Sequence, residues 1–254
     1  YVVLGGFMDK KILLKKILEY FKIKDIPDNL NEMKKLYKDI ILSLDNYDIP
    51  DDILTTEDKY LRIELINKKL TDGEKYNTID TNLDGKYNHG DKVCLWQGDI
   101  SAIYADVLIN PVNSNFDLDK NNKLYLNSGM RLRKKCLDLI KDKKLNPTEI
   151  LITRAYNLIS DFIIHVVLPS DENYDTELSM CYYNVLECAN NNIAKTVVLR
   201  DISKNNNKEL LVKVIMDYLD RDTNHIEKII IAADKDDDFE EYVSILDNYK
   251  ETTE

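Results

Sequence analysis

Two short stretches carry the residues best suited to chemistry. They are Gly98-Asp99-Ile100-Ser101 and Asn110-Pro111-Val112-Asn113. Between them runs Val107-Leu108-Ile109, short and apolar enough for a buried strand. Asp99 is placed to cap a helical turn that opens at Ile100. Pro111 cannot donate to a ladder, so pairing should stop there and the chain should leave the sheet. One carboxylate and two carboxamides thus emerge near strand ends, where ligands of open α/β sheets bind. The same residues also make an ordinary cap and ordinary turns, and spacing alone does not separate the two roles.

The elements that must position these residues can be read from periodicity. Apolar runs predict strands at Val93 to Trp96, Val107 to Asn110, Ile150 to Ala155, Phe162 to Val167, Thr196 to Leu199 and Lys228 to Ile231. Spacing of three and four predicts helices at Asp9 to Phe21, Leu30 to Leu44, Glu177 to Asn191 and Glu209 to Asp220. Thr56 can cap a further helix running to Leu70. Breaks at Asp25-Ile26-Pro27-Asp28 and Asp48-Ile49-Pro50-Asp51 separate the first three helices. Their amphipathic faces need a surface to cover, which the α/β body would supply. Gly73 to Gly90 is polar and reads as a connector with room for one edge strand. The domain division is therefore a helical extension over 8–72 and an α/β domain over 73–254.

Composition narrows the function classes. The 254 residues are 44% hydrophobic, enough for a core, and 32% charged, with 46 acids against 35 bases and a net charge of -11. A duplex nucleic-acid binder would need a basic face, so that class is set aside. No apolar run reaches the roughly 18 residues of a membrane span, and no signal-peptide pattern opens the chain. Met8 reads as a natural start. Cys94, Cys136, Cys181 and Cys188 form no C-x-x-C pair, which fits a reducing cytoplasm. Cys181 and Cys188 share one helical face as small apolar core residues. His165, inside an apolar run, reads as a satisfied core histidine rather than an acid–base group. The chain has seven glycines, under half the ordinary share of about 7%. The last of them is Gly129. Wrapping backbone around a diphosphate normally calls for more.

Gly98-Asp99-Ile100-Ser101 with Ile109-Asn110-Pro111-Val112-Asn113 resembles the signature of the macrodomain, and in particular of the zinc-containing macrodomains, which are protein-ADP-ribosylhydrolases. The resemblance continues through Asp58-Lys59-Tyr60-Leu61 in the extension. It runs on through Ser128-Gly129-Met130-Arg131-Leu132-Arg133-Lys134-Lys135-Cys136, and through Pro147-Thr148-Glu149 to Asn157-Leu158 and His165. It implies a three-layer α/β/α sandwich with a mixed sheet, preceded by the helical extension. It also implies that Asp99 accepts from an adenine amino group and Asn113 contacts a distal ribose, with Ile100, Asn110 and Ser203 as further residues binding ADP-ribose.

The departures from that pattern fall on the functional loops. Where the zinc-containing members carry Cys, His and Cys ligands, this chain has Phe116-Asp117-Leu118-Asp119-Lys120-Asn121-Asn122. No zinc is expected, and no cofactor. Asp117 and Asp119 are the acids left nearby that could serve as a base; two solvated loop aspartates are the plainer alternative, and as a metal pair they are too few. After Thr196 to Arg200, Ile202-Ser203 survives but both glycines and the proline of the phosphate loop are gone. Asn205, Asn206 and Asn207 stand there, and asparagine can visit positive φ. Asp234 takes the place of an aromatic residue beside the adenine. Asp236-Asp237-Asp238 reads as a helix start, lacking the glycine and glutamate of a calcium loop.

Two functions compete. The first is a degenerate, non-catalytic macrodomain with weakened or lost recognition of ADP-ribose or a related nucleotide, or one acting through a protein partner. The second is an active ADP-ribosylhydrolase with a rebuilt, zinc-free site using Asp117 or Asp119.

Overall fold

The computed structural model describes residues 9–44, 48–116, 122–141, 143–169, 173–221 and 224–251. In chain order come α1 (Lys10–Tyr20), α2 (Leu30–Ser43), α3 (Asp51–Ile66), β1 (Thr71–Asp72), α4 (Ile79–Asn82), β2 (Val93–Gln97), β3 (Ile103–Tyr104) and β4 (Val107–Val112). Then follow α5 (Lys123–Ser128), α6 (Met130–Ile140), β5 (Ile150–Arg154), β6 (Phe162–Val167), α7 (Tyr174–Asn191), β7 (Thr196–Leu199), α8 (Lys208–Leu219), β8 (Lys228–Ala233) and α9 (Asp236–Leu246).

One six-stranded sheet has the order β2-β8-β7-β4-β6-β5. Its strands pair in parallel except β5, which runs antiparallel to β6 at the edge. Alternate residues divide between two cores. Val93, Leu95, Val107, Ile109, Val197, Leu199, Ile229 and Ile231 face α7, α8 and α9. Cys94, Trp96, Leu108, Ile163, Val198 and Ile230 face the side that holds Leu124 and Tyr125 of α5 and Leu132 and Cys136 of α6. All six expected strands lie in this sheet, between two helical layers.

Three expectations need correcting. β4 does not stop before Pro111: it pairs with β6 through Pro111↔Val166 and Val112↔Val167. The Val112 carbonyl accepts from Leu168 N at 2.8 Å. Alternation then turns the Pro111 nitrogen toward β7, whose pairing with β4 has already ended at Leu108↔Val198, so no ladder bond is lost. The third helix starts at Asp51, not after Thr56, and ends at Ile66 rather than Leu70. Pro50 and the first-turn acids Asp51 and Asp52 begin it early, and Thr56 Oγ1 instead donates to the Asp52 carbonyl at 2.7 Å. Within 73–90 the chain makes the short α4 and no strand beyond a lone Tyr87↔Lys250 bridge; the small extra strand is β1, paired with β3.

The first three helices bury their apolar faces mostly on one another. Leu14 and Ile17, Met33 and Ile41, and Leu54 and Leu61 form a core of their own, which Met130 of α6 enters. At that contact Glu57 of α3 is fully buried. Its Oε1 and Oε2 accept from Met130 N at 3.1 and 2.8 Å, and Tyr37 donates its hydroxyl to Oε1 at 2.5 Å. A carboxylate from one helix thus caps the N-terminus of another. Gly129 is required beside it: its φ is +86°, and a Cβ there would lie 2.8 Å from Glu57 Oε2.

Burial pushes the Glu57 carboxyl up to about 7, against the opposing pull of Tyr37 and Met130. A raised carboxyl favours the folded state in its neutral form. That contribution is full below the unfolded value and is lost as pH rises through the folded one. The expected outcome is that wild type loses up to roughly 3 kcal/mol relative to Glu57→Gln between about pH 4.5 and 7, measured by urea unfolding across pH.

Candidate functional site

The carboxyl ends of β2, β4, β7 and β8 open onto a cleft of about 400 Å3, lined by Gly98, Ile100, Asn110, Pro111, Leu124 and Arg200, among others. A smaller polar pocket of about 220 Å3 lies beneath the loop joining β7 to α8 and contains Ser203, Lys204, Lys208 and Tyr242 in its wall. Arg200 and Asp234 line both. A separate cavity of about 270 Å3 sits at the other end of the sheet, among Val107, Ile152, Phe162 and Ile193. Its lining is more apolar and holds none of the expected site residues.

The expected residues are only partly brought together. Ile100, 6% exposed, and Asn110, 1% exposed, form cleft wall. Asp99 caps the turn at Ile100–Ala102, as expected, through Ser101 N at 3.1 Å. Its carboxylate is drawn away by Lys68, which follows α3. Lys68 Nζ donates to Asp99 Oδ2 at 2.9 Å, Ser101 Oγ at 2.6 Å and Asn127 Oδ1 at 3.1 Å. Ser101 Oγ donates to Asp99 Oδ1 at 2.7 Å. Although burial works against ionisation, Lys68 and Ser101 together hold the Asp99 carboxyl below its ordinary value. Asn113 is exposed just past β4, its Oδ1 accepting from Asn115 N at 3.1 Å. Ser203 lies in the smaller pocket, donating to Asp201 Oδ2 at 2.9 Å and accepting from Asn207 N at 2.6 Å. Asp117 and Asp119 lie outside the described residues.

A buried polar chain fixes the cleft floor. Asn122 caps α5, its Oδ1 accepting from Leu124 N and Tyr125 N. Its Nδ2 must then donate, and does so to Asn110 Oδ1 at 2.6 Å. Asn110 Nδ2 donates to His165 Nδ1 at 2.9 Å, which leaves His165 Nε2–H to donate to Thr153 Oγ1 at 2.9 Å. Full burial drives the His165 imidazole down to about 3. It is therefore a neutral core histidine, as expected. Cys136, 3.9 Å from Nε2, has its thiol pushed up to about 12 by burial and is no nucleophile.

Several described non-glycine residues take positive φ, two of them in segments expected to have lost a glycine. Thr148, in the Pro147-Thr148-Glu149 segment, has φ +66°, and Asn206 in the loop after β7 has φ +56°. The asparagine tolerates this conformation; the β-branched threonine does so at a cost. Among the described residues no three His, Cys, Asp or Glu side chains converge as a metal site. The cysteines of the sheet and helices are dispersed, and burial raises their thiols.

Sequence reasoning missed Lys68 and Arg200. Nothing local marks Lys68, whose partners lie 31 to 59 residues away. Arg200 did leave a signal: it is a cation directly after a buried strand that ends at the ligand edge of the sheet.

A mixed, mainly parallel sheet between helical layers, with its cleft at the strand carboxyl ends, is the macrodomain fold. The Macro domain family model matches residues 109–208. The chain is similar to "Protein-ADP-ribose hydrolase" of Staphylococcus aureus (strain COL), 28% identical over 211 aligned positions, the match covering 74% of this chain and 78% of the relative. Among solved structures, the macro domain of ganglioside induced differentiation associated protein 2 aligns with TM-score 0.60 and 21% identity, over 70% of this chain and 97% of its own. The Trypanosoma brucei macrodomain in complex with ADP aligns with TM-score 0.60 and 13% identity, over 94% and 97%.

The polar chain yields a direct expectation. Asn110→Ala leaves Asn122 Nδ2 and His165 Nδ1 without partners and should cost about 2–3 kcal/mol of folding stability by chemical denaturation. In the wild type the His165 ring resonances should not titrate between about pH 8 and 5.

Proposed function

We propose that this chain is a macrodomain with weakened recognition of ADP-ribose or a related nucleotide, without hydrolytic turnover, that acts as a binding or interaction module. The observation that carries this reading is the state of Asp99. In the resemblance, the aspartate at this position accepts from the adenine amino group. Here both oxygens already serve Lys68 and Ser101. An adenine amino group must share that carboxylate or displace an ammonium, trading a charge-assisted hydrogen bond for a neutral one. The diphosphate has also lost the glycine loops that would offer backbone N–H donors.

Retained contacts are worth about 1–3 kcal/mol each. The entropy lost by a flexible dinucleotide is of comparable size or larger. The balance supports a Kd no tighter than about 100 μM, equivalent to about 5.5 kcal/mol. In this reading residues 8–72 form the extension and 73–254 the macrodomain, the zinc loop of related hydrolases is replaced rather than retained, and the protein works in the cytoplasm without a cofactor. Among the described residues no helix is long and apolar enough to cross a membrane.

The hydrolase name of the Staphylococcus relatives favours a second reading, an active zinc-free site using Asp117 or Asp119. Calorimetric titration with ADP-ribose, paired with release of ADP-ribose from a mono-ADP-ribosylated protein, separates the two. The expected outcome is binding no tighter than about 100 μM and no release. Micromolar binding lost in Asp99→Ala would show that the Asp99 site is intact. Turnover abolished by Asp117→Ala or Asp119→Ala would overturn the non-catalytic reading. Elemental analysis of protein purified without added metal should find no stoichiometric zinc.

A further inference from the structure

We infer that the open edge of β5 is an interface at which two copies of this chain pair their sheets, with Ile152 on the two-fold axis. The site lies at the opposite edge of the sheet from β2 and does not depend on what the carboxyl ends of the strands bind.

β5 ends the sheet, and its backbone alternates. Val167 N donates to Glu149 O and Ala155 N to Asp161 O, so the odd-numbered residues bond to β6. The N–H and C=O groups of Ile150, Ile152 and Arg154 therefore point outward, and no described residue bonds to them. Such a row is a template for another strand, which natural edges blunt with lysine or proline. β5 reads Ile-Leu-Ile-Thr-Arg, with neither, and its one charge stands at its last position.

Apolar surface gathers at the same edge. Ile152, Phe162 and Ile193 are 38%, 45% and 73% exposed, and all three line the 270 Å3 cavity. Ile193 is costly twice over. It follows α7 with φ +58°, where glycine or asparagine is the ordinary choice, and it leaves a branched apolar side chain in water.

Symmetry and charge choose a second copy as the occupant. Ile150 packs on the α7 core and Ile152 lines the cavity with Ala189 of α7, so the even-numbered side chains share the α7 face. A two-fold axis through Ile152, normal to the sheet, pairs two β5 strands antiparallel and keeps those faces on one side. Ile152 then exchanges both backbone bonds with its counterpart and packs against it, and Ile150 stands opposite Arg154 of the second copy. The two arginines fall at opposite ends of the pair, each toward Glu149 of the other copy, which also pairs with Lys143 of its own chain. Moving the axis to Arg154 would set the two cations face to face. The net charge of -11 on each copy opposes association, but its field decays over about 8 Å at physiological salt, and the strand itself carries only Arg154.

The test is sedimentation equilibrium on the full chain, joined to amide hydrogen exchange in dilute and concentrated protein. The expected result is a reversible dimer with a Kd no weaker than about 300 μM, in keeping with a small interface. The amides of Ile150, Ile152 and Arg154 should exchange at least about threefold more slowly at about 1 mM than at about 10 μM, while Leu151 and Thr153, bonded to β6, are equally protected at both. Ile152→Pro removes an outward donor and spares the β6 ladder, and Arg154→Glu reverses the end charge on an exposed side chain; each should weaken the dimer by about fivefold or more. Ile66→Lys, at an exposed isoleucine of α3, should leave it unchanged. A monomer at about 1 mM, a dimer indifferent to both edge variants, or exchange at the three amides that ignores concentration would overturn the inference. A monomer whose same three amides slow only when an extended peptide is added would assign the edge to another chain and overturn it too.

Discussion

Asn122 holds the cleft to the sheet. Two backbone N–H groups at the start of α5 claim its carbonyl oxygen, so its amide must donate, and Asn110 Oδ1 must receive. That one orientation propagates through His165 to Thr153, across β4, β6 and β5. Every member is buried or nearly so, and each pair is close to ideal length, so reversing any one would leave several polar atoms without partners. A consequence for function follows. Asn110 stands in the cleft wall, but its oxygen is committed to Asn122 and one amide hydrogen to His165. It shapes the cleft more than it recognises what enters.

The same economy governs charge. Asp99 is engaged by Lys68, Glu57 by Tyr37 and Met130, and Lys208 by Asp238 and Glu241. Lys68 and Glu57 both tie the α1–α3 bundle to the α/β body: Lys68 reaches the turn at Ser101 and the end of α5, while Glu57 caps α6. The segments flanking the cleft are thus braced from the extension. Two of the buried titratable groups, Glu57 and His165, act in opposite pH directions. Glu57 contributes fully below about pH 4.5 and loses that contribution as pH rises to about 7, whereas His165 must stay neutral and opposes acidification below about pH 6.5. Against these spent charges, Arg200 and Asp234 stand out as a facing cation and anion without partners among the described residues.

Strands were legible because the sheet is buried on both faces, so Val107-Leu108-Ile109 and Ile229-Ile230-Ile231 stand out as continuous apolar runs. The helix start at Asp51 was not, because Pro50 followed by two acids is a start signal and also looks like a break. Pro111 was misjudged for a related reason. A proline is excluded from a ladder only on the side where its nitrogen faces a partner, and that side is decided by where β7 ends, which is tertiary information. Asp99 was legible as a cap but its occupation by Lys68 was not, since no local pattern encodes a contact 31 residues away. The low glycine count was visible in sequence; the positive φ of Thr148 and Asn206 was not.

On the proposed reading any nucleotide enters at the carboxyl edge of the sheet, between Ile100, Arg200 and Asp234, rather than at the apolar cavity beside Ile152 and Phe162. Amide chemical-shift mapping of the full chain with ADP-ribose tests it most directly. The account expects small, fast-exchange shifts concentrated at Gly98, Ile100, Arg200 and Asp234, with Val107, Ile152 and Ile193 unmoved. Shifts centred on Ile152, Phe162 and Ile193, with the carboxyl edge silent, would contradict it.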